Sequence, residues 1–136
     1  MKNTVTRSIS YMKDINKQPE IRVMPMPSDT NAAGDIFGGW LMSQVDIAGS
    51  IAAHRHVRKR VVTVAVNEFI FKKPVAVGDL VSIYADIDYI GNTSIRIALQ
   101  VIAERERGQN EAELVATAML TYVSIDANGK PVSIKS

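Results

Sequence analysis

GGWLMSQVDIAGSIAAHRH, running from Gly38 to His56, is the stretch whose reading decides the fold. Phe37, Leu41, Val45, Ala48 and Ala52 recur at helical spacing, and Trp40, Ile47 and Ile51 widen that stripe. Met42, Gly49 and Ala53 leave the opposite side almost as apolar. A helix that is apolar nearly all round belongs in an interior. Its last turn then becomes abruptly basic, with His54, Arg55 and His56 followed by Arg58, Lys59 and Arg60.

On the C-terminal side the chain reads as strands. Val61 to Phe71 is a continuous β-branched and aromatic run, which predicts burial on both faces. Leu80 to Ile90 alternates, with Val81, Ile83, Ala85, Ile87 and Tyr89 on one face and Ser82, Tyr84, Asp86 and Asp88 on the other. Gly91-Asn92 marks a turn, and Ile95, Ile97, Leu99, Val101 and Ala103 continue the alternation. Gly108 to Asn110 breaks that strand, and Ala112 to Ile125 gives the last one. On the N-terminal side, Glu20 to Met24 is a short strand, and the turn formers from Pro25 to Gly34 predict an ordered loop. The order is strand, loop, helix and four strands joined by hairpin-length turns. It predicts an α+β architecture, an antiparallel sheet wrapped around one long central helix. Residues 1–19 are polar and read as an arm; residues 20–136 read as one domain.

A chain of 136 residues buries enough surface to need no staple, and it has no cysteine. Disulfide frameworks, thiolate zinc sites and cysteine nucleophiles are excluded, and a reducing cytoplasm is the expected location. The opening residues MKNTVTRSISYMKD show no apolar core of a secretory signal. A net charge of +2, from 16 basic and 14 acidic residues, is too weak to argue for nucleic acid. Ile36 to Ala53 contains Asp46, Ser43 and Gln44, which makes it a poor membrane span.

Asp46 breaks the helical pattern. A carboxylate on an enclosed helix costs several kcal/mol unless paired or neutralised. It is either a structural group bonded to a neighbour or a general base in a dry cleft, its acidity weakened by burial. Gly38 and Gly39 stand at the helix start, where amides lack intrahelical acceptors and the dipole is positive. They serve either tight packing or an oxyanion, with Asp46 two turns further along nearly the same face. Asn31 makes an Asx-turn or holds a water or a carbonyl. The cations from Arg55 to Arg60 and the pair Lys72-Lys73 are either solvated or a rim for phosphates. His54 and His56, spaced i,i+2, share no helix face, which argues against a zinc pair.

Asn31-Ala-Ala-Gly-Asp-Ile-Phe-Gly-Gly39 followed by Leu41-Met-Ser-Gln-Val-Asp46 resembles the signature of hotdog-fold acyl-CoA thioesterases of the YciA type. Val61 to Asn67, Phe71 to Asp79 and the Gly91 to Ile95 hairpin extend the resemblance, which runs from about Arg22 to Asp126. It implies a hotdog fold and hydrolysis of acyl-CoA to free CoA and an acid. It implies that Asp46 and Asn31 are a catalytic pair from opposite subunits, with the Gly38 and Gly39 amides polarising the thioester carbonyl. Asp46 either activates water or attacks directly to form an anhydride. Arg58, Arg60, Lys72 and the hairpin residues Gly91, Thr93 and Ser94 are the expected CoA contacts. No metal or redox cofactor is implied, and dimers associating into a trimer of dimers are. Asn67 departs from the pattern, since many relatives carry an acidic residue there. Two alternatives compete. A non-catalytic acyl-CoA sensor would lack the base, and a hydratase or dehydratase needs a histidine beside the acid, whereas His54 and His56 lie beyond the motif.

Overall fold

One long helix lies against one face of an antiparallel sheet. The computed structural model describes residues 17–109 and 111–135. Its elements are β1 (Ile21–Val23), α1 (Gly38–Val57), β2 (Arg60–Phe71), β3 (Leu80–Ile90), β4 (Ser94–Glu104) and β5 (Glu113–Ile125). The sheet order is β1-β3-β4-β5-β2, and every neighbouring pair is antiparallel. This is the hotdog architecture the sequence predicts. The arm read over residues 1–19 lies outside the described residues up to residue 16. Lys17, at its end, reaches Asp86 of β3.

The core follows from period-2 strands meeting a helical stripe. Ile95, Ile97, Leu99 and Val101 of β4 are fully buried, as are Val81 and Ile83 of β3 and Leu120 and Tyr122 of β5. They form one cluster with Leu41, Val45, Ala48 and Ala53 of α1. Truncating one of these large aliphatics to alanine costs about 2–5 kcal/mol.

Four expectations need correction. The helix is not enclosed, because a single sheet covers one side of it; Met42, Ile47 and the preceding Phe37 are exposed. β2 is not buried on both faces. It is the sheet edge, two register shifts interrupt its pairing with β5, and Val62, Val64, Val66 and Ile70 are exposed, Val64 by 54%. The alternation of β3 holds only to Ala85. Ile87 is already exposed, and a bulge between Ile87 and Tyr89 then shifts the register and turns Ile90 back to the core. Finally, β2 and β3 sit far apart in the sheet, so Lys72–Asp79 is a crossover rather than a hairpin turn.

That crossover defines the two ends of the molecule. It runs past the ends of β4 and β5 at the N-terminal end of α1. The Lys72 and Lys73 amides bond to the Val115 carbonyl, and the Ile36 amide to the Val75 carbonyl. Arg105 pins it further, donating to Asp79 Oδ2 at 2.7 Å, to the Pro74 carbonyl at 2.9 Å and to Glu113 Oε1 at 3.0 Å. At the opposite end lie the C-terminus of α1, the β3–β4 hairpin and residues 131–135. Lys59 bonds to the Ser133 carbonyl there, and the Ile134 amide to that of Asn92.

Candidate active site

Asp46 sits mid-helix on the side of α1 that faces the edge of the sheet. It is half-buried rather than sealed, since the outer flank of α1 is bare. Two hydroxyls meet it. Thr63 of β2 donates to Oδ1 at 2.7 Å, and the phenol of Tyr122 on β5 stands 3.2 Å from the same atom. The phenol also bonds to the main-chain carbonyl of Asp46 at 2.7 Å. Burial pushes the pKa of the Tyr122 phenol far above the ordinary range, and the charge of Asp46 adds to the effect. Tyr122 is therefore a fixed donor. With Oδ1 occupied, Oδ2 is the oxygen left to accept a proton.

The start of α1 supplies the complementary chemistry. Its N-cap, Phe37, contributes no side-chain cap, and the Trp40 and Leu41 amides already bond to the Phe37 carbonyl. The amides of Gly38 and Gly39 are the orphan donors of the first turn. The two glycines differ in what surrounds them. A Cβ on Gly38 would lie 3.2 Å from Cζ of Phe71, whereas one on Gly39 would meet nothing within 4 Å. Gly38 makes room for a ring, and Gly39 keeps its amide approachable. Beside them opens a largely apolar cleft of about 280 Å³, walled by Ile36, Phe37, Leu41, Phe71 and Val75, with Lys72 and Lys73 at its rim.

Asn31 makes the Asx-turn that was one of its two sequence readings. Its Oδ1 accepts from the amides of Ala33 at 2.9 Å and Asp35 at 3.1 Å, fixing the loop that leads into α1. The donor group Nδ2 is then the part of the side chain suited to a ligand. Among the described residues no bond joins Asn31 to Asp46 within the chain. The expected CoA contacts are also divided. Lys72 lies at the cleft, whereas Arg58 and Arg60 lie at the far end of α1, and Gly91, Thr93 and Ser94 form the hairpin at that same end. Arg58, in the left-handed conformation at the helix C-cap, folds its Nε back to the Arg55 carbonyl at 3.1 Å. Thr93 offers its carbonyl to the Ser124 amide, and the Gly91 amide bonds to the Ser94 carbonyl. On the outer face, Asn67 Oδ1 accepts from Thr121, a bond that an acidic side chain would accept equally.

Sequence reading missed Thr63, Tyr122 and Phe71. Thr63 is the one hydroxyl in the run from Val61 to Val66, which is a signal in principle. Tyr122 and Phe71 look like ordinary strand residues, and only the packing of α1 gives them a site role.

The model of the thioesterase superfamily matches residues 33–108. The acyl-CoA thioester hydrolase YciA of Escherichia coli is 47% identical over 115 residues, covering 82% of this chain and 86% of that protein. A hexameric thioesterase from Yersinia pestis superposes with a TM-score of 0.83 at 46% identity, covering 89% of this chain and 98% of that one. An acyl-CoA hydrolase from Staphylococcus aureus, solved with butyryl-CoA and CoA, gives 0.77 at 32% identity, covering 83% and 68%. Variants of that staphylococcal enzyme were solved with alanine replacing an asparagine, and replacing an aspartate fifteen residues later. The same fifteen-residue separation holds between Asn31 and Asp46. With its hotdog fold, the matching family model and these relatives, the chain belongs to the thioesterase superfamily.

Proposed function

We propose that this protein hydrolyses acyl-CoA thioesters to free CoA and a carboxylic acid, at sites shared between two copies of the chain. The observation that carries the reading is the arrangement along β2. Asp46 lies beside Thr63 in the first half of that strand, and the Gly38 and Gly39 donors lie beside Phe71 at its end. β2 is an unpaired edge with exposed valines, the kind of surface a partner closes. Two-fold antiparallel pairing of β2 with its copy sets the Thr63 half of one strand against the Phe71 half of the other. Asp46 of one chain then faces the Gly39 amide and the Asn31 loop of the second.

In that setting the thioester carbonyl accepts from the Gly39 amide, with Asn31 Nδ2 as a second donor, and the acyl chain enters the cleft beside Phe71. Asp46 takes a proton from water, which attacks the carbonyl carbon; the tetrahedral oxyanion collapses and expels CoA thiolate, which is reprotonated. Water is the only co-substrate, and no metal or redox cofactor takes part. The same two-fold brings the basic C-terminal end of one helix towards the N-terminal end of the other. Arg58, Arg60 and Lys72, with the Gly91–Ser94 hairpin, then hold the CoA phosphates. The hexameric relatives support association of three such dimers. Among the described residues no helix is long and apolar enough to cross a membrane, and the absence of cysteine supports work in the cytoplasm.

A thiol-release assay over acyl-CoAs of different chain length tests the reading. Release by the wild type, lost in a folded Asp46→Asn variant, is expected. Binding of acyl-CoA without release would make the protein a sensor instead.

A further inference from the structure

Tyr122 is the largest fully buried side chain among the described residues, and its phenol needs a partner. Its one proton is shared by two oxygens of Asp46, the main-chain carbonyl at 2.7 Å and carboxylate Oδ1 at 3.2 Å. α1 is shaped to allow this. A Cβ on Gly49, three residues after Asp46, would lie 2.2 Å from the phenol oxygen and 2.9 Å from Cζ. No side chain fits at that position while the phenol stays where it is.

We infer that Tyr122 and Gly49 together form a positioning device that fixes the Asp46 carboxylate for its work on water. The inference rests on the proposed role of Asp46. An aspartate in mid-helix has two side-chain torsions to settle. A donor rooted in β5 that holds both its backbone oxygen and its carboxylate limits that freedom, and Thr63 from β2 holds the same Oδ1 from another direction. Oδ2 is then presented in one orientation. The phenol keeps its proton because burial and the neighbouring charge both disfavour its ionisation, so the bond keeps its direction. Tyr122 acts through Asp46 and touches no reacting atom.

Tyr122→Phe keeps the buried ring and removes the donor. It should lower kcat roughly tenfold or more, the range carried by one hydrogen bond to a charged group. KM for acyl-CoA should stay within about twofold, because the CoA contacts lie elsewhere. Gly49→Ala should lower kcat by displacing the phenol, and it should cost much less once Tyr122 is already phenylalanine. A folded Tyr122→Phe variant with wild-type kcat, or strictly additive losses of kcat in the pair, overturns the inference. Where Gly49→Ala fails to fold, Tyr122→Phe alone decides. Asp46→Asn is measured alongside. Its inactivity beside a fully active Tyr122→Phe removes the positioning device only, whereas a fully active Asp46→Asn removes the role of Asp46 itself.

Discussion

At the scale of the residue, the two glycines that open α1 make the sharpest contrast. Both sit in a helical turn where alanine is the better residue by up to about 1 kcal/mol. Gly39 has open space around it, so Gly39→Ala should leave the melting temperature unchanged or higher. The same methyl stands in the approach to the orphan amide, so turnover should fall at least about tenfold. Gly38→Ala instead meets the Phe71 ring, which is half-exposed and able to shift, and should cost turnover less. Equal turnover in Gly39→Ala and wild type would show that the space is mere solvent. For Asp46→Asn the expected loss in kcat is at least about two orders of magnitude with the fold retained, read from turnover and thermal melts of one preparation. Asp46 stands out as a candidate from sequence alone, because a carboxylate among Met42, Val45, Ile47, Gly49 and Ser50 interrupts the helical pattern. Its partners do not. Thr63 and Tyr122 lie 17 and 76 residues away, and no local period announces a contact across that distance.

At the scale of the element, period-2 alternation and helical spacing suffice wherever a side chain meets its own chain's core. β4 and the inner stripe of α1 read correctly for that reason. β2 defeats the same logic, since it is the sheet edge and its apolar run lies largely exposed on the single chain. The bulge in β3 defeats it too, because one extra residue inverts every face beyond it. The crossover from β2 to β3 carries its own prediction. Arg105 and Lys73 converge on Glu113, and the hydrogen bond from Lys73, with help from Arg105, holds that carboxyl below the usual glutamate range against the opposing effect of partial burial. A depressed folded-state value means that ionised Glu113 stabilises the native state. The contribution is complete above the unfolded-state value and disappears as pH falls through the lowered one. Wild type should therefore melt above Glu113→Gln at neutral pH, and the gap should close as acidification carries the carboxyl through its lowered folded-state range. A gap that persists or widens in acid would mean that the carboxylate charge contributes nothing there.

At the scale of the whole molecule, one chain carries all the residues of the proposed site but does not bring them together. Asn31 and the glycines belong to one end, Asp46 faces the middle of the open edge, and Arg58, Arg60 and the β3–β4 hairpin belong to the other end. In the proposed arrangement a two-fold through β2 would join opposite ends of two chains and yield two sites, each drawing Asn31 from one chain and Asp46 from the other. Sharing of this kind has a direct test. Asn31→Ala and Asp46→Ala chains, each inactive alone, are mixed under conditions that allow subunits to exchange. Random pairing makes about half the dimers mixed, and each mixed dimer has one site with both residues intact and one with neither. Activity should recover towards about a quarter of the wild-type value per chain. The recovered activity should keep the wild-type KM, because an intact site is restored whole rather than partially repaired. Recovery should also vanish when Val64→Lys is built into both chains, since a charge on the unpaired edge opposes β2 from meeting its copy. Sites built within one chain would show no recovery at any mixing ratio, which would remove the shared arrangement while leaving hydrolysis at Asp46 in place.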